Sequence, residues 1–342
     1  MTLLQVQDLH VDHPTPAGVL RAVRGVGFTL QRGETLGLVG ESGCGKSSLG
    51  RALLRLAPVT AGRVMLDGHE LTAIAPRRLR QVRPLVQMVF QDNNASLNPR
   101  HRVGTLVAQP LRVHGVPRRE AEGRALDLLR QVGLAPSAAE RYPHEFSGGQ
   151  RQRIGIARAL ALQPRLLVCD EPVSALDVSV RAQIINLLQD LQAELGLSML
   201  FISHDLSVVR HLCNRVLVMY LGRIVESGPT EFVWRSPAHP YTRALLAAAP
   251  RRRRAADPAD VGADAADAAI ELPNPLAPPP GCAFAGRCPY ATARCQSEQP
   301  LLRALANGRE VACHLDLLLA GRAPLTSTAS RERPHAGSSQ LG

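Results

Sequence analysis

Short apolar runs alternate with longer amphipathic segments over residues 1 to about 250. Apolar runs of about four to eight residues are typical of buried strands, whereas apolar positions three or four residues apart are typical of helices. Strands that alternate with helices pack as a sheet covered by helices, so the pattern predicts an α/β fold. The predicted strands lie at residues 35–39, 86–90, 165–169 and 200–203, and the clearest predicted helices lie at residues 47–56 and 151–162.

The alternating pattern ends near residue 250. Beyond it the sequence is dominated by Ala, Asp and Pro up to Pro280, which predicts a linker over residues 251–280. Residues 281–318 contain four of the seven cysteines and predict a small cysteine-containing module. The polar composition of residues 319–342 predicts a disordered tail. We find no internal repeat, so a single nucleotide-binding unit is expected over residues 1–250.

Composition adds limits on the class of protein. The chain has 342 residues, of which 45% are hydrophobic, and this is enough for the core of one large domain or two modest domains. A membrane-spanning helix needs an apolar run of about 18 residues, and no run in this sequence is that long. The start of the chain also lacks the basic and apolar stretches of a signal peptide. We therefore expect a soluble, cytoplasmic chain that touches a membrane only through a partner or its surface.

The formal net charge of +11 is compatible with nucleic acid or anionic lipid as a partner. Most of the excess is scattered arginine, so the charge alone favours neither partner. One local run, residues 251–254, contains four consecutive arginines. It predicts either a solvated linker or a segment attracted to anionic headgroups.

A phosphate-binding loop is the strongest chemical signal in the sequence. The pattern G-x-x-x-x-G-K-[ST] is matched by Gly40, Glu41, Ser42, Gly43, Cys44, Gly45, Lys46 and Ser47. Lys46 is the sole lysine of the chain, beside 39 arginines, and a compact ammonium reaches between phosphate oxygens where a planar guanidinium would need more room. Loop amides and the start of the following helix would bind the phosphates. The predicted strand and helix on either side supply the context that this motif requires.

Two adjacent carboxylates, Asp170 and Glu171, follow the predicted strand at residues 165–169. Ligands of α/β proteins bind at the carboxyl ends of strands. Because neighbouring side chains diverge, we expect Asp170 to hold Mg²⁺ together with the Ser47 hydroxyl, while Glu171 acts as general base towards the attacking water.

A second anion site is predicted at Ser147, Gly148, Gly149 and Gln150, which open the helical segment at residues 151–162. A serine hydroxyl and free amides at a helix start bind anions. One nucleotide does not need two such sites from one polypeptide. We therefore expect this site to meet a nucleotide held by another subunit.

The motifs of this chain, and their order along the sequence, resemble those of the ATPase subunits of ABC transporters. The resemblance rests on Walker A (40–47), Gln91, the signature (147–150), Walker B (166–170) with Glu171, the D-loop (174–177) and His204. It implies a P-loop ABC-type ATPase core with a mixed sheet, a RecA-like subdomain and a helical subdomain at about residues 92–163. Ser48 stands where the family usually has threonine, and the hydroxyl is kept.

The resemblance also implies roles for individual residues. Gln91 would sense Mg²⁺ and the attacking water, His204 would contact the γ-phosphate and orient Glu171, and Asp177 would shape a dimer interface. The family stacks adenine on an aromatic residue near the first strand. The nearest candidate is His13, whose alternative interpretation is an ordinary surface histidine.

Further strings resemble the ATPase subunits of bacterial dipeptide and oligopeptide importers, which are related to nickel importers. These strings lie at residues 90–92, 96–99, 142–146, 239–242, 281–284, 287–289 and 311–314. The resemblance implies ATP and Mg²⁺ as cofactors, with ATP hydrolysis energising peptide import. It implies as partners a second ATPase subunit, identical or paralogous, two integral membrane permeases and an extracytoplasmic peptide-binding protein. The chain would lie peripherally on the cytoplasmic side of the bacterial inner membrane.

Four clustered cysteines, Cys282, Cys288, Cys295 and Cys313, leave three interpretations open. Their spacing, C-x5-C-x6-C-x17-C, lacks paired C-x-x-C knuckles, so zinc with or without His314 is not strongly indicated. Four thiolates could ligate a [4Fe–4S] cluster, to which the family resemblance also points. The third interpretation is reduced thiols in a structural cap, because disulfides are disfavoured in a reducing cytosol.

A rival function is a soluble ABC-type ATPase that acts on nucleic acid. The net charge of +11 offers some support for it. The sequence lacks a second ATPase core, a long coiled coil and a recognisable nucleic-acid module. We therefore expect no nucleic-acid partner.

Overall fold

The computed structural model describes residues 1–91, 96–248, 274 and 276–316. The predicted tail at 319–342, the arginine run at 251–254 and most of the predicted linker at 251–280 lie outside these residues. The strands are β1 (Thr2–Thr15), β2 (Gly18–Gln31), β3 (Thr35–Val39), β4 (Ala61–Leu66), β5 (His69–Glu70), β6 (Val86–Val89), β7 (Leu166–Asp170), β8 (Ser198–Ile202), β9 (Arg215–Tyr220), β10 (Arg223–Pro229), β11 (Arg303–Leu305) and β12 (Arg309–Val311).

Helices cover both sides of these strands and also form a group of their own. They are α1 (Lys46–Leu53), α2 (Pro76–Val82), α3 (Val103–Val113), α4 (Arg118–Gln131), α5 (Gly148–Leu160), α6 (Val178–Leu195), α7 (Leu206–Leu212), α8 (Thr230–Arg235), α9 (Pro240–Ala248) and α10 (Ala293–Ser297). Helices α3, α4 and α5 pack on one another within the range predicted for the helical subdomain. None of the helices in the described part of the chain combines the length and the apolar character needed to cross a bilayer.

Two sheets form within the described residues. The smaller is antiparallel with the strand order β2-β1-β4-β5, and the larger has the order β11-β12-β10-β9-β3-β8-β7-β6. In the larger sheet β6, β7, β8, β3 and β9 run parallel, whereas β10, β12 and β11 are antiparallel at one edge. The fold is therefore α/β with a mixed sheet, as predicted. The carboxyl ends of the parallel strands meet at one edge, which is where the site lies.

The core occupies both faces of the larger sheet because side chains alternate along each strand. Leu166, Val168 and Leu200 pack on the face that carries α1 and the antiparallel sheet. Leu167 and Phe201 pack on the opposite face, together with residues of the helices that follow β6 and β7. Strands buried on both faces are nearly continuous apolar runs, and this explains why their positions could be predicted.

Element positions are confirmed, and their ends differ for local reasons. Strand β3 has the predicted bounds. Helix α1 ends at Leu53 rather than at residue 56, because Arg55 adopts a positive φ of 54° that cannot continue a right-handed helix. Helix α5 begins at Gly148, earlier than predicted, because Ser147 and Gln150 form a capping box at its start.

The C-terminal segment, residues 276–316, extends the larger sheet. Strand β12 pairs with β10, with Val311 opposite Glu226 and Glu310 opposite Ser227. Phe284 is buried, and its ring centroid lies 5.3 Å from that of Tyr220 and 5.5 Å from that of Tyr241. Residues of the module predicted at 281–318 thus contact the core through both a strand pair and an aromatic cluster.

Candidate nucleotide-binding site

The loop between β3 and α1 requires glycine at particular positions. At Gly45 the backbone has a φ of 107°, and a Cβ atom would lie 2.1 Å from the carbonyl oxygen of Ala22. A Cβ atom on Gly40 would lie 2.2 Å from the carbonyl oxygen of Met219. Neither position tolerates a side chain without movement of the backbone of a neighbouring strand, β2 at Gly45 and β9 at Gly40. The local sequence therefore places a tight, amide-rich loop at the start of α1, where the helix dipole favours anions.

Lys46 lies inside this loop with only 4% of its surface exposed. Its ammonium donates hydrogen bonds to the carbonyl oxygens of Gly40, at 2.8 Å, and Glu41, at 2.9 Å. The third donor of the ammonium faces Cys44 Sγ at 3.8 Å, and because a thiol is a weak acceptor a phosphate oxygen could replace it. The charge is held in the loop and not in solvent, where it would be strongly screened.

Ser47 and Asp170 form a pair that suits a divalent cation. The Ser47 hydroxyl donates to Asp170 Oδ1 at 2.8 Å, and Asp170 is 1% exposed. Its Oδ2 atom is buried and has no hydrogen-bond partner among the described residues. Burial raises the pKa of the Asp170 carboxyl above its ordinary value. A cation bound there would supply the missing partner and favour the ionised form, and Mg²⁺ prefers such oxygen ligands.

Gln91, Glu171 and His204 meet beside this pair although they are far apart in sequence. Gln91 Nε2 donates to Glu171 Oε2 at 3.1 Å, and His204 Nδ1 lies 3.3 Å from the same oxygen. The three residues follow β6, β7 and β8, whose carboxyl ends are neighbours. The backbone amide of Glu171 donates to the carbonyl oxygen of Ile202 at 3.0 Å, which fixes the backbone of Glu171 at this edge. A carboxylate with an amide and an imidazole at one oxygen can accept a proton from a water held nearby.

A cavity of about 540 Å³ is lined by Lys46, Ser47, Gln91, Glu171 and His204, whereas Asp170 is not among its lining residues. Its wall includes residues of the predicted loop, together with residues from β2 and from the C-terminal segment that sequence reasoning missed. The lining residues are Leu20, Arg21, Ala22, Arg24, Ser42, Gly43, Cys44, Gly45, Lys46, Ser47, Ser48, Gln91, Glu171, His204, Leu221, Gly222 and Pro278. Leu20, Arg24 and Pro278 carry no motif, so no sequence signal could have singled them out.

His13 is not among the residues that line the cavity. Its Nε2 lies 3.1 Å from the Ser48 hydroxyl, so the ring packs beside the start of α1. The structure therefore places His13 next to the phosphate loop. A role for this ring in stacking on a base stays a prediction.

The Ser147–Gln150 turn lies elsewhere on the surface. The Ser147 hydroxyl accepts from the Gln150 amide at 3.3 Å, and Gln150 Oε1 accepts from the Ser147 amide at 3.0 Å. Ser147, Gly148 and Gln150 are exposed, as is Asp177 before α6. None of them lines the cavity around Lys46. The turn and Asp177 thus remain accessible from outside the chain.

Comparison with known proteins identifies the family. The profile for the ABC transporter family matches residues 23–174, and that for the oligopeptide/dipeptide transporter C-terminal region matches residues 225–295. A probable peptide ABC transporter ATP-binding protein of Sinorhizobium fredii is 52% identical over 321 residues, covering 92% of this chain and 90% of the relative. The chain belongs to the ATP-binding subunits of peptide-importing ABC transporters.

Other members of this peptide-importer family are similarly close. The di/tripeptide transport ATP-binding protein of Pseudomonas aeruginosa is 50% identical over 324 residues, covering 92% of this chain and 97% of the relative. The oligopeptide transport ATP-binding protein of Escherichia coli is 50% identical over 313 residues, covering 88% of this chain and 92% of the relative. The rival function, an ATPase acting on nucleic acid, is not supported by these relatives.

Solved structures confirm the ABC ATPase fold. A dimeric ATP-binding cassette in a post-hydrolysis state with ADP and Pi has a TM-score of 0.61 and 28% identity, covering 67% of this chain and 99% of that chain. An ABC transporter subunit of Clostridium perfringens also has a TM-score of 0.61, with 27% identity, and covers 69% of this chain and 91% of that chain.

The described structure does not support the metal site that was one interpretation of the four C-terminal cysteines. Among the described residues, which include Cys282, Cys288, Cys295 and Cys313, no group of three or more His, Cys, Asp or Glu is placed to hold a metal ion. Burial raises the pKa of the Cys282, Cys288 and Cys313 thiols. His314 Nε2 lies 2.9 Å from the carbonyl oxygen of Glu298 instead. Neither the [4Fe–4S] cluster nor zinc is therefore supported.

The reactivity of Cys288 offers a test of this correction. Burial raises the pKa of the Cys288 thiol from 9.0 to about 11, so its thiolate fraction at pH 8 should be about 100-fold below that of an unperturbed thiol. We expect alkylation of Cys288 by iodoacetamide to accelerate about tenfold per pH unit from pH 8 to 10. Peptide mass spectrometry would measure the rate. A rate independent of pH and accelerated by chelators would instead indicate a metal-bound thiolate.

Proposed function

We propose that this subunit binds ATP with Mg²⁺ at the cavity around Lys46 and hydrolyses it to energise the import of dipeptides or oligopeptides. The observation that carries the proposal is the convergence of Lys46, Asp170 and Glu171 at one edge of the parallel sheet. Three kinds of group needed for phosphoryl transfer are thus available together: a cation for phosphate, ligands for a metal, and a base. The similarity to peptide-transport ATP-binding proteins supports the transported class.

The loop and Lys46 would bind the triphosphate. Loop amides and the N-terminus of α1 would face the phosphates, and Lys46 would donate to a phosphate oxygen in place of its weak contact with Cys44 Sγ. Ser47 and Asp170 would hold Mg²⁺, which would neutralise charge on the phosphates. Catalysis in such a site rests mainly on positioning and electrostatic stabilisation.

Glu171 would act as general base. Its carboxylate accepts a proton from water as the water oxygen bonds to the γ-phosphorus, and the bond from that phosphorus to the bridging oxygen of ADP breaks. The contacts of Gln91 and His204 with Glu171 Oε2 would orient the carboxylate towards the water. An imidazole can donate or accept a hydrogen bond, so His204 would also contact the γ-phosphate.

The exposed Ser147–Gln150 turn would complete the site of a second ATPase subunit, identical or paralogous. Two subunits would close around two ATP molecules, with Asp177 at the interface, and reopen after hydrolysis. Residues 1–250 would form the nucleotide-binding domain, and its helical part at about 92–163 would contact two membrane permeases. An extracytoplasmic protein would deliver peptide, and the subunit would lie on the cytoplasmic face of the bacterial inner membrane.

Replacing Ser147 by alanine should separate binding from turnover. Because Ser147 does not line the cavity of its own chain, we expect ATP affinity within about twofold of wild type, whereas ATPase activity should fall about 100-fold, as on removal of a charge-stabilising donor. Calorimetry and phosphate release would measure the two quantities. The thermal unfolding of the variant must also be measured, because the loss of a helix cap costs about 1 kcal/mol of stability. Wild-type turnover would contradict a role for this turn at the partner's nucleotide.

Uptake of labelled peptides tests the whole proposal. A strain lacking this subunit should lose uptake, and the wild-type chain should restore it. Amino-acid uptake through an unrelated transporter serves as the control for membrane energisation. Unchanged peptide uptake in the deletion strain, in the absence of a second copy of the system, would overturn the proposed substrate class.

A further inference from the structure

The phosphate loop contains a negative charge that its anion-binding role does not explain. Glu41 follows Gly40 directly, yet its side chain does not line the cavity around Lys46. A carboxylate beside a triphosphate is unfavourable, because like charges in a partly buried site repel strongly. A neighbouring group must therefore hold the Glu41 carboxylate away from the phosphates, or neutralise its charge.

Arg287 of the C-terminal segment does both. Its Nη1 donates to Glu41 Oε2 and its Nη2 donates to Glu41 Oε1, each at 2.8 Å. This bidentate pair is the geometry in which guanidinium and carboxylate bind most strongly. The side chains of Arg287 and Glu41 are 21% and 30% exposed, so solvent screens the pair only partly. The Glu41 carboxylate raises the pKa of Arg287 above its ordinary value.

The position of Arg287 is fixed by the aromatic cluster formed by Tyr220, Tyr241 and Phe284. The guanidinium carbon lies 5.8 Å from the ring centroid of Tyr220 and 5.6 Å from that of Phe284. The rings of Tyr220 and Tyr241 are 4.6 Å apart. Rings packed in this way have few alternative positions. The aromatic cluster therefore restricts the position of the Arg287 side chain beside the phosphate loop.

Glu41 is held at its backbone as well. Its amide donates to the hydroxyl oxygen of Tyr241 at 2.8 Å, and Tyr241 is 1% exposed. Its carbonyl oxygen accepts from the ammonium of Lys46 at 2.9 Å. A continuous series of contacts thus runs from the C-terminal segment through Glu41 to the lysine that would bind phosphate.

We propose that Arg287 is a positioning residue for ATP binding: it neutralises the Glu41 carboxylate, holds it outside the nucleotide cavity and keeps the phosphate loop preorganised. This inference rests on the proposed function. It gives the C-terminal segment a role in nucleotide affinity that requires no metal. The occupant of the site is a nucleoside triphosphate, and Arg287 acts on it only through Glu41.

Substitution of Arg287 by alanine tests the inference in the full chain. The freed carboxylate should repel the triphosphate, and the loop should lose order before binding. We expect the Kd for ATP and the KM to rise about 3- to 10-fold, with kcat within about twofold, because the chemistry at Glu171 is not touched. The rise should shrink as NaCl increases from about 50 to 500 mM, where the Debye length falls to a few ångströms. Calorimetry with ATP and steady-state phosphate release would supply these values.

A double-mutant cycle identifies the path of the effect. In a Glu41→Gln background, Arg287→Ala should change the Kd for ATP by less than about 1.5-fold, since no charge remains to be neutralised. The matched control is Arg294→Ala, which removes a bidentate pair with Glu298 in the same segment, with both distances at 2.7 Å. We expect this control to leave the Kd unchanged. Arg287→Gln provides a second variant should the alanine variant fold poorly.

The outcomes separate this inference from the proposed function. Wild-type ATP affinity in the Arg287 variants would overturn the positioning role and leave the proposed function intact. An equal loss in both Glu41 backgrounds would also overturn it, because the effect would not pass through the carboxylate. Failure of the wild-type chain to bind ATP would overturn the proposed function and this inference with it.

Discussion

Replacing Glu171 by glutamine should lower ATP hydrolysis by about 10²- to 10⁴-fold, the range that a positioned general base contributes. ATP affinity should stay near the wild-type value, because the substitution keeps the shape of the side chain and an oxygen that can accept from Gln91. Under these conditions the proposed closed dimer should accumulate with ATP bound. Phosphate release and size-exclusion chromatography with the partner ATPase and permeases would measure turnover and closure.

The control for this substitution is Glu231→Gln, which removes an exposed carboxylate that pairs with Arg210 and Arg235 away from the cavity. It should keep wild-type turnover. Wild-type turnover in the Glu171 variant would remove the base from the mechanism. A variant that hydrolyses no ATP because it fails to bind it would point to a structural role, since Glu171 has a positive φ of 45° in the turn after β7.

Replacing Lys46 by alanine should weaken ATP binding about 10- to 100-fold, corresponding to the loss of hydrogen bonds from a charged donor. The ammonium is buried and lies next to two loop carbonyl oxygens, so the truncation also leaves those oxygens without their donor. Lys46→Arg should not rescue binding, because a planar guanidinium needs more room than the compact ammonium. Calorimetry would measure affinity, and thermal unfolding would show whether the loop remains folded.

Lys46 also permits a test that needs no mutation. As the sole lysine, it is the one side-chain amine that an acylating reagent can modify, apart from the N-terminus. MgATP should protect it from the reagent.

The surface substitution Arg210→Ala is the control for Lys46→Ala. It also removes one positive charge, and it should leave both the affinity for ATP and the protection by MgATP unchanged. Unaltered ATP binding by the Lys46→Ala variant would contradict its role as the phosphate cation.

Local motifs made much of the fold and site predictable. The apolar runs located β3, β7 and β8 because strands buried on both faces exclude polar residues. The glycines and Lys46 identified the phosphate loop, because their spacing is that of a loop whose backbone amides and lysine ammonium bind phosphate. Sequence reasoning did less well with the four C-terminal cysteines. Their spacing allowed a metal site, whereas the described residues show no group of three or more candidate ligands placed to hold a metal ion.

Residues distant in sequence were beyond this kind of prediction. The sequence gives no distance between Glu171 and His204, and nothing in it pairs Glu41 with Arg287, 246 positions away. Leu20 and Arg24 line the cavity only because the antiparallel sheet packs over the phosphate loop. Contacts of this kind depend on the order of the strands in the sheet and on packing, and neither can be deduced from a short stretch of sequence.

The sequence by itself determined the family, the α/β class, the phosphate loop and the candidate catalytic groups, because each is encoded within a few neighbouring residues. The tertiary structure alone decided that Gln91 and His204 contact the same oxygen of Glu171, that Ser147 lies outside the cavity around Lys46, and that Arg287 reaches Glu41. The physical reason is that parallel strands bring their carboxyl ends together whatever their separation along the chain, so the site is assembled by sheet order and packing.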